Sequence, residues 1–225
     1  MSPPRSRPTR TSSRLRRPDT ARAAQALATL GVVAAVALAA VAQTSAGSSA
    51  RPRVTVIGDS ITASFDYVPA AERYLGKGLD LRSDAVVCRR LVAASCLFKG
   101  TTPATALQVI AAHEGLLGSV VVVNVGYNDW AAVYDVDRVM RALAEAGVTT
   151  AIWVTLRETT TNYARSNARI RVAARRWRRS LVVADWNAHS RGKPWFREDG
   201  LHLTSAGAIG LARLLRPLVV TGTSQ

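Results

Sequence analysis

The stretch Ser119 to Val125, SVVVVNV, constrains the fold more than any other part of the chain. It is a continuous β-branched run with no polar alternation, the pattern of a strand buried on both faces. Parallel neighbours of such a strand are reached only through crossovers, and the crossovers cover the faces. The surrounding sequence supplies both parts. Val54–Ile57, Leu79–Val87, Thr150–Leu156 and Leu181–Ala184 read as four further strands. Thr102-Pro103 reads as an N-cap and first helical residue, followed by Leu107, Ile110 and Ala111 at helical spacing up to Gly118. Asp135 can cap a helix striped by Val136, Val139, Met140 and Leu143 and ended by Gly147. Ile170, Ala173, Ala174 and Trp177 stripe the next, and Thr204 can cap a last helix carrying Leu211, Leu214, Leu215 and Leu218. The implied class is α/β: a three-layer α/β/α sandwich on a five-stranded parallel sheet. Sites in such sheets lie at the carboxyl ends of the strands.

Charge qualifies this picture. The chain carries 30 basic and 15 acidic residues, a formal +15. Such a balance points to nucleic acid, anionic membrane or acidic glycan only if the charge belongs to the folded body. Much of it does not. Residues 1–22 hold seven arginines against Asp19, a net +6, in a Pro/Ser/Thr-rich stretch with little to bury. No charge follows between Arg22 and Arg51, and Leu30 to Ala42 is an apolar run. A basic segment, a short apolar segment and small residues at Ala40-Val41-Ala42 read as a secretory signal. The alternative is an uncleaved anchor, since Ala24 to Ala42 spans 19 residues. Residues 1–50 are therefore assigned to a basic segment, a signal or anchor, and a linker, and residues 51–225 to one domain. The expected location is secreted, or anchored to the outer face of the cytoplasmic membrane. Membrane contact is expected only through residues 24–42.

Three residue groups fall at the carboxyl edge of the expected sheet. Gly58-Asp59-Ser60 follows the first strand and places a serine at a strand-to-helix turn, where backbone N–H groups favour developing negative charge. Gly126-Tyr127-Asn128-Asp129 follows the third strand, and its asparagine can donate to an oxyanion. Asp199-Gly200-Leu201-His202 precedes the last helix. A carboxylate three residues before a histidine can hold one tautomer, ready to take a proton from a serine. Each group alone is a common turn or cap; their conjunction is what points to catalysis.

These groups resemble the sequence blocks of the SGNH (GDSL-type) hydrolases over about residues 53–217. Block I corresponds to Gly58-Asp59-Ser60, block III to Gly126–Asp129, and block V to Asp199–His202, followed by Leu203-Thr204-Ser205-Ala206-Gly207. The resemblance implies Ser60 as nucleophile, His202 as general base and then acid, and Asp199 as its orienter. It implies an oxyanion hole from the Ser60 N–H, the Asn128 side chain and a backbone N–H of block II. It also implies the flavodoxin-like strand order 2-1-3-4-5, and no cofactor.

Block II departs from the pattern. In Ser83–Arg90, Cys88 stands where the family usually has glycine. Its N–H survives as a donor, but glycine's freedom at positive φ does not. Either the loop turns differently or Cys88 is held by another group. Cys96, the only other cysteine, lies eight positions away, and a Cys88–Cys96 disulfide is expected in an exported chain.

Other residues keep two readings. Tyr127 and Trp130 flank Asn128 and either bind substrate or pack in the core. Trp195 and Phe196 either cover His202 or pack under the last helix. Arg157 and Glu158 are expected to form an ion pair at the rim. His113 and His189 read as surface residues, the latter in a loop. Arg165, Arg169, Arg171, Arg175, Arg176, Arg178 and Arg179 crowd one helix as a solvated basic face. No metal is expected, because no His/Cys/Asp/Glu group has ligand spacing. Nucleic acid is not an expected partner.

The function expected from these residues is an exported serine hydrolase cleaving short-acyl carboxylic esters, with a small-molecule or glycan ester as substrate. One alternative is an O-acyltransferase or deacetylase acting on cell-wall or secreted polysaccharide. Another is a non-catalytic wall- or membrane-binding module using the arginine-rich helix.

Overall fold

A computed structural model describes residues 50–224 of the chain. The signal or anchor expected at 24–42 lies outside the described residues. Five parallel strands, β1 (Arg53–Gly58), β2 (Asp80–Ala85), β3 (Val120–Asn124), β4 (Thr150–Val154) and β5 (Leu181–Ala184), form one sheet in the order β2-β1-β3-β4-β5. This is the three-layer order expected. The register pairs Val54 with Val120 and Gly58 with Asn124, so β1 and β3 end side by side.

The period of two decides which helix covers which face. Val54, Val56, Val120, Val122, Ile152 and Val154 point to one side. There they meet α1 (Ser64–Tyr67), α2 (Pro69–Gly76), α6 (Trp186–His189) and α7 (Ser205–Thr223), through Phe65, Leu75, Trp186, Leu211 and Val219. Ile57, Val121, Val123, Ala151 and Trp153 point to the other side. They meet α3 (Ala106–Ala112), α4 (Val136–Glu145) and α5 (Thr161–Arg176), through Ile110, Val139, Leu143 and Ile170. All five residues of β3 are buried, as its apolar run requires.

Caps at Asp135 and Thr204 occur where expected. The cap at Thr102 does not. Helix α3 starts three residues later, because Thr105 and Gln108 form a reciprocal capping box of 2.9 and 3.1 Å. The N–H groups of Ala106 and Leu107 donate to Arg90 O and Leu91 O, so the helix start is docked on the loop after β2. Arg178 and Arg179 fall past the end of α5, in the turn before β5, and His189 closes α6 rather than lying in a loop. The basic face is partly neutralised: Arg176 pairs with Asp137, and Arg171 with Glu158 and Asp185. Among the described residues no helix is long and apolar enough to cross a membrane.

Candidate active site

The turn after β1 is built around Asp59. Its side chain is fully buried; Oδ1 accepts from Ile61 N–H at 3.0 Å, and Oδ2 accepts from the Gly126 and Tyr127 N–H groups at 3.1 Å each. One carboxylate thus ties the loop after β1 to the loop after β3. Gly58 is needed beside it, since a Cβ there would collide with the Thr62 side chain. Burial pushes the Asp59 carboxyl up to about 6, against the N–H groups that lower it.

Ser60 emerges from this turn. Its Oγ lies 3.1 Å from His202 Nε2, and His202 Nδ1 lies 2.7 Å from Asp199 Oδ2. Asp199 Oδ1 accepts from the Leu201 and His202 N–H groups at 2.8 and 2.9 Å. These N–H donors, Leu201 first, and the imidazole hold the Asp199 carboxyl down at about 2. An ionised carboxylate only accepts, so Nδ1 carries the hydrogen and Nε2 is left to accept from the serine hydroxyl. The structure thus brings together residues 142 positions apart. Ser60 occupies the expected strand-to-helix turn. It lies in a turn ahead of the four-residue α1, so individual N–H groups, not a helix dipole, supply local positive potential.

The loop after β2 contributes Cys88, which adopts φ +72° and forms a disulfide with Cys96, Cα–Cα 5.2 Å. The cysteine therefore takes the left-handed conformation that glycine favours. The loop is fastened at several further points. The buried Arg89 guanidinium donates to Asp84 Oδ1 at 2.8 Å, and its Nε to Ala104 O at 3.0 Å. Asn128 Nδ2 donates to Arg89 O at 3.1 Å, Arg90 Nε donates to Asn128 O at 2.7 Å, and Leu91 N–H donates to the Asp129 carboxylate. Asn128 Nδ2 carries a second hydrogen. Among the described residues, the Ser60 and Cys88 N–H groups donate to no protein acceptor. Asp129 is also pushed up, to about 7, first by burial and then by the charge of Asp59.

Asp59 and Asp129 set a pH dependence with a definite sign. Both carboxyls lie above their ordinary value when folded, so the stability they contribute is present below about pH 4 and is lost as pH rises through about 6 and 7. Asp199 acts oppositely: its contribution is lost only as pH falls toward about 2. The thermal midpoint should therefore fall between about pH 5 and about pH 8, and Asp129→Asn should flatten the slope. A midpoint that rises over that range contradicts the assignment.

Tyr127 packs in the core. It is buried, meets Tyr163 edge-on at 5.1 Å, and accepts from Arg157 N–H at 2.7 Å. Trp130 is 68% exposed. Trp195 stacks on Trp186 at 5.6 Å and packs against α7 at Gly207 and Gly210, leaving His202 open to solvent. The expected Arg157–Glu158 pair does not form. Glu158 accepts from Asn167 and faces Arg171, while Arg157 lies 3.8 Å over the Phe196 ring and donates to Gly200 O. Arg157 thereby holds the loop that carries Asp199 and His202. Its role was not foreseen, though its place after β4 put it at this edge. Asp59, Asp129 and Arg89 were likewise missed as organisers, although the first two lie inside the motifs.

No protein-family model and no curated protein matches the chain. Solved structures do. A carbohydrate acetylesterase family member from Sinorhizobium meliloti is 16% identical, with TM-score 0.57 over 77% of this chain and 100% of that one. The psychrotrophic esterase EstA from Pseudoalteromonas sp. is 11% identical, with TM-score 0.55 over 77% and 100%. A salicylyl-acyltransferase from a tetracycline biosynthetic pathway is 14% identical, with TM-score 0.55 over 77% of this chain and 56% of that one. The chain carries the fold of these ester-cleaving and acyl-transferring proteins.

Proposed function

We propose that this protein is an exported serine hydrolase that cleaves carboxylic esters through an acyl-enzyme on Ser60. The observation that carries the reading is the continuous hydrogen-bonded chain Ser60–His202–Asp199, at 3.1 and 2.7 Å, on the carboxyl edge of the sheet. In this mechanism Ser60 Oγ attacks the ester carbonyl while His202 Nε2 takes its proton. The ionised Asp199 stabilises the resulting imidazolium. The Ser60 and Cys88 N–H groups and the second Asn128 Nδ2 hydrogen receive the oxyanion. His202 then protonates the leaving alkoxide, and water, deprotonated by His202, releases the acid. The fold of the similar esterases supports the reaction class. Export is supported by the Cys88–Cys96 disulfide, since such bonds persist in oxidising compartments, and by the signal-like sequence.

A second reading keeps the acyl-enzyme and replaces water by a sugar hydroxyl, making an O-acyltransferase. The fold shared with a salicylyl-acyltransferase favours considering it. The same triad geometry argues against a non-catalytic module. A fluorophosphonate should label the purified full-length chain at Ser60, with p-nitrophenyl acetate hydrolysed by the unlabelled protein. Absence of both results would sink the enzyme reading. Addition of acetyl-free oligosaccharide separates the two acceptors: acyl-sugar formation at the expense of acetate identifies a transferase.

A further inference from the structure

A groove lies between α5 and the segment that follows Asp129. It has a volume of about 520 Å³ and is lined by Trp130, Ala132, Asn162, Arg165 and Arg169. A neighbouring cavity of about 300 Å³ shares Ala168 and Arg169 in its lining and lies toward Asp137. Trp130, 68% exposed, presents a large aromatic surface at the wall of this groove.

The backbone that carries the indole is held on both sides. Asn162 Nδ2 donates to Asp129 O at 2.8 Å, and Asn162 Oδ1 accepts from Ala131 N–H at 2.8 Å. One side chain therefore fixes the backbone before and after Trp130. Asn162, Arg165 and Arg169 share a helix face at i, i+3 and i+7 spacing. Arg169 lies against Ala132 O at 3.4 Å, and Arg165 has no ion pair or hydrogen bond among the described residues. The acids lining the neighbouring cavity are engaged: Asp137 with Arg176 and Trp177, and Asp135 as the cap of α4. The Trp130 groove is therefore the more positive of the two.

An exposed indole on an anchored backbone offers a flat face to the C–H side of a sugar ring. Two guanidinium groups one helical turn apart match a carboxylate or phosphodiester. Trp130 is two residues from Asn128, so their Cα atoms lie within about 7 Å. We propose that this groove binds an acylated anionic glycan, seating a sugar on Trp130 and its negative group between Arg165 and Arg169. This rests on the ester-hydrolase reading and names its substrate class.

The test is binding rather than turnover, so that it stands apart from catalysis. Full-length protein carrying Ser60→Ala is titrated with polygalacturonate, polyribitol phosphate and neutral xylan, followed by tryptophan fluorescence and affinity electrophoresis. At least one anionic polymer should bind, and the preferred one identifies carboxylate or phosphodiester as the recognised group. Trp130→Ala and the pair Arg165→Gln/Arg169→Gln should each weaken that binding about tenfold or more, with unchanged thermal midpoints. Arg178→Gln/Arg179→Gln removes the same charge elsewhere and should change it less than about twofold. Equal loss in that control, equal binding of xylan, or no binding of either anionic polymer overturns the proposal. Ester hydrolysis by the Ser60 protein is measured separately, so failure of the groove and failure of the enzyme reading are distinguishable.

Discussion

Replacing Ser60 by alanine should lower kcat on a short-chain ester by about 10⁴-fold or more, to a residue set by the oxyanion donors alone. The size follows from the geometry. Ser60, His202 and Asp199 form one hydrogen-bonded line, so deleting any member removes a shared step. His202→Ala should therefore cost a similar factor, and the double variant little more than either single one. Asp199→Asn should cost about as much by another route. An amide facing Nδ1 can donate, which moves the imidazole hydrogen to Nε2 and removes the acceptor for the serine hydroxyl. The measurement is steady-state hydrolysis of p-nitrophenyl acetate, with circular dichroism to confirm folding. Multiplying single-variant losses in the double variant would mean that the groups act independently.

Removing the Cys88–Cys96 disulfide should affect both stability and rate, by separable mechanisms. The bond joins residues eight positions apart, and closing so short a loop is worth on the order of 2–3 kcal/mol. Urea denaturation of Cys88→Ser/Cys96→Ser should show that loss. The rate effect arises because Cys88 sits at φ +72°, a conformation costing a non-glycine residue about 1 kcal/mol or more. Without the bond, the loop can relax and turn the Cys88 N–H away, and one lost oxyanion donor is worth about 10²-fold or more in kcat. Cys88→Gly/Cys96→Ala distinguishes the two effects. Glycine takes positive φ freely, so this variant should recover much of kcat while its stability stays low. Equal rates in the serine and glycine variants would separate the disulfide from catalysis.

The strand pattern was legible because β-branched runs and helical stripes are local properties. SVVVVNV could only be satisfied between covered neighbours, and β3 is the central strand with all five residues buried. The start of α3 is ambiguous in the sequence, because Thr102-Pro103 and Thr105-x-x-Gln108 are both good start signals. The second prevails through its reciprocal bonds and its docking on Arg90 and Leu91. Tyr127 carried two readings because its hydrogen-bond partner, the Arg157 N–H, is 30 positions away.

The candidate site divides along the same line. Residue chemistry and motif order were enough to mark Ser60, Asn128, Asp199 and His202 as candidates, since hydroxyl, amide, carboxylate and imidazole differ in kind. Local pattern also explains Asp199, whose partners Leu201 and His202 are its near neighbours. The framework that aims these groups is nonlocal. Asp59 reaches Gly126 and Tyr127, Asp129 reaches Leu91, and Arg157 reaches Gly200. A buried carboxylate or guanidinium takes whatever donors or acceptors the fold brings to it, and chain separation carries no record of which those are. The same holds for the groove. Trp130 and the arginines of α5 were visible as residues, but only packing placed them side by side and left the indole exposed.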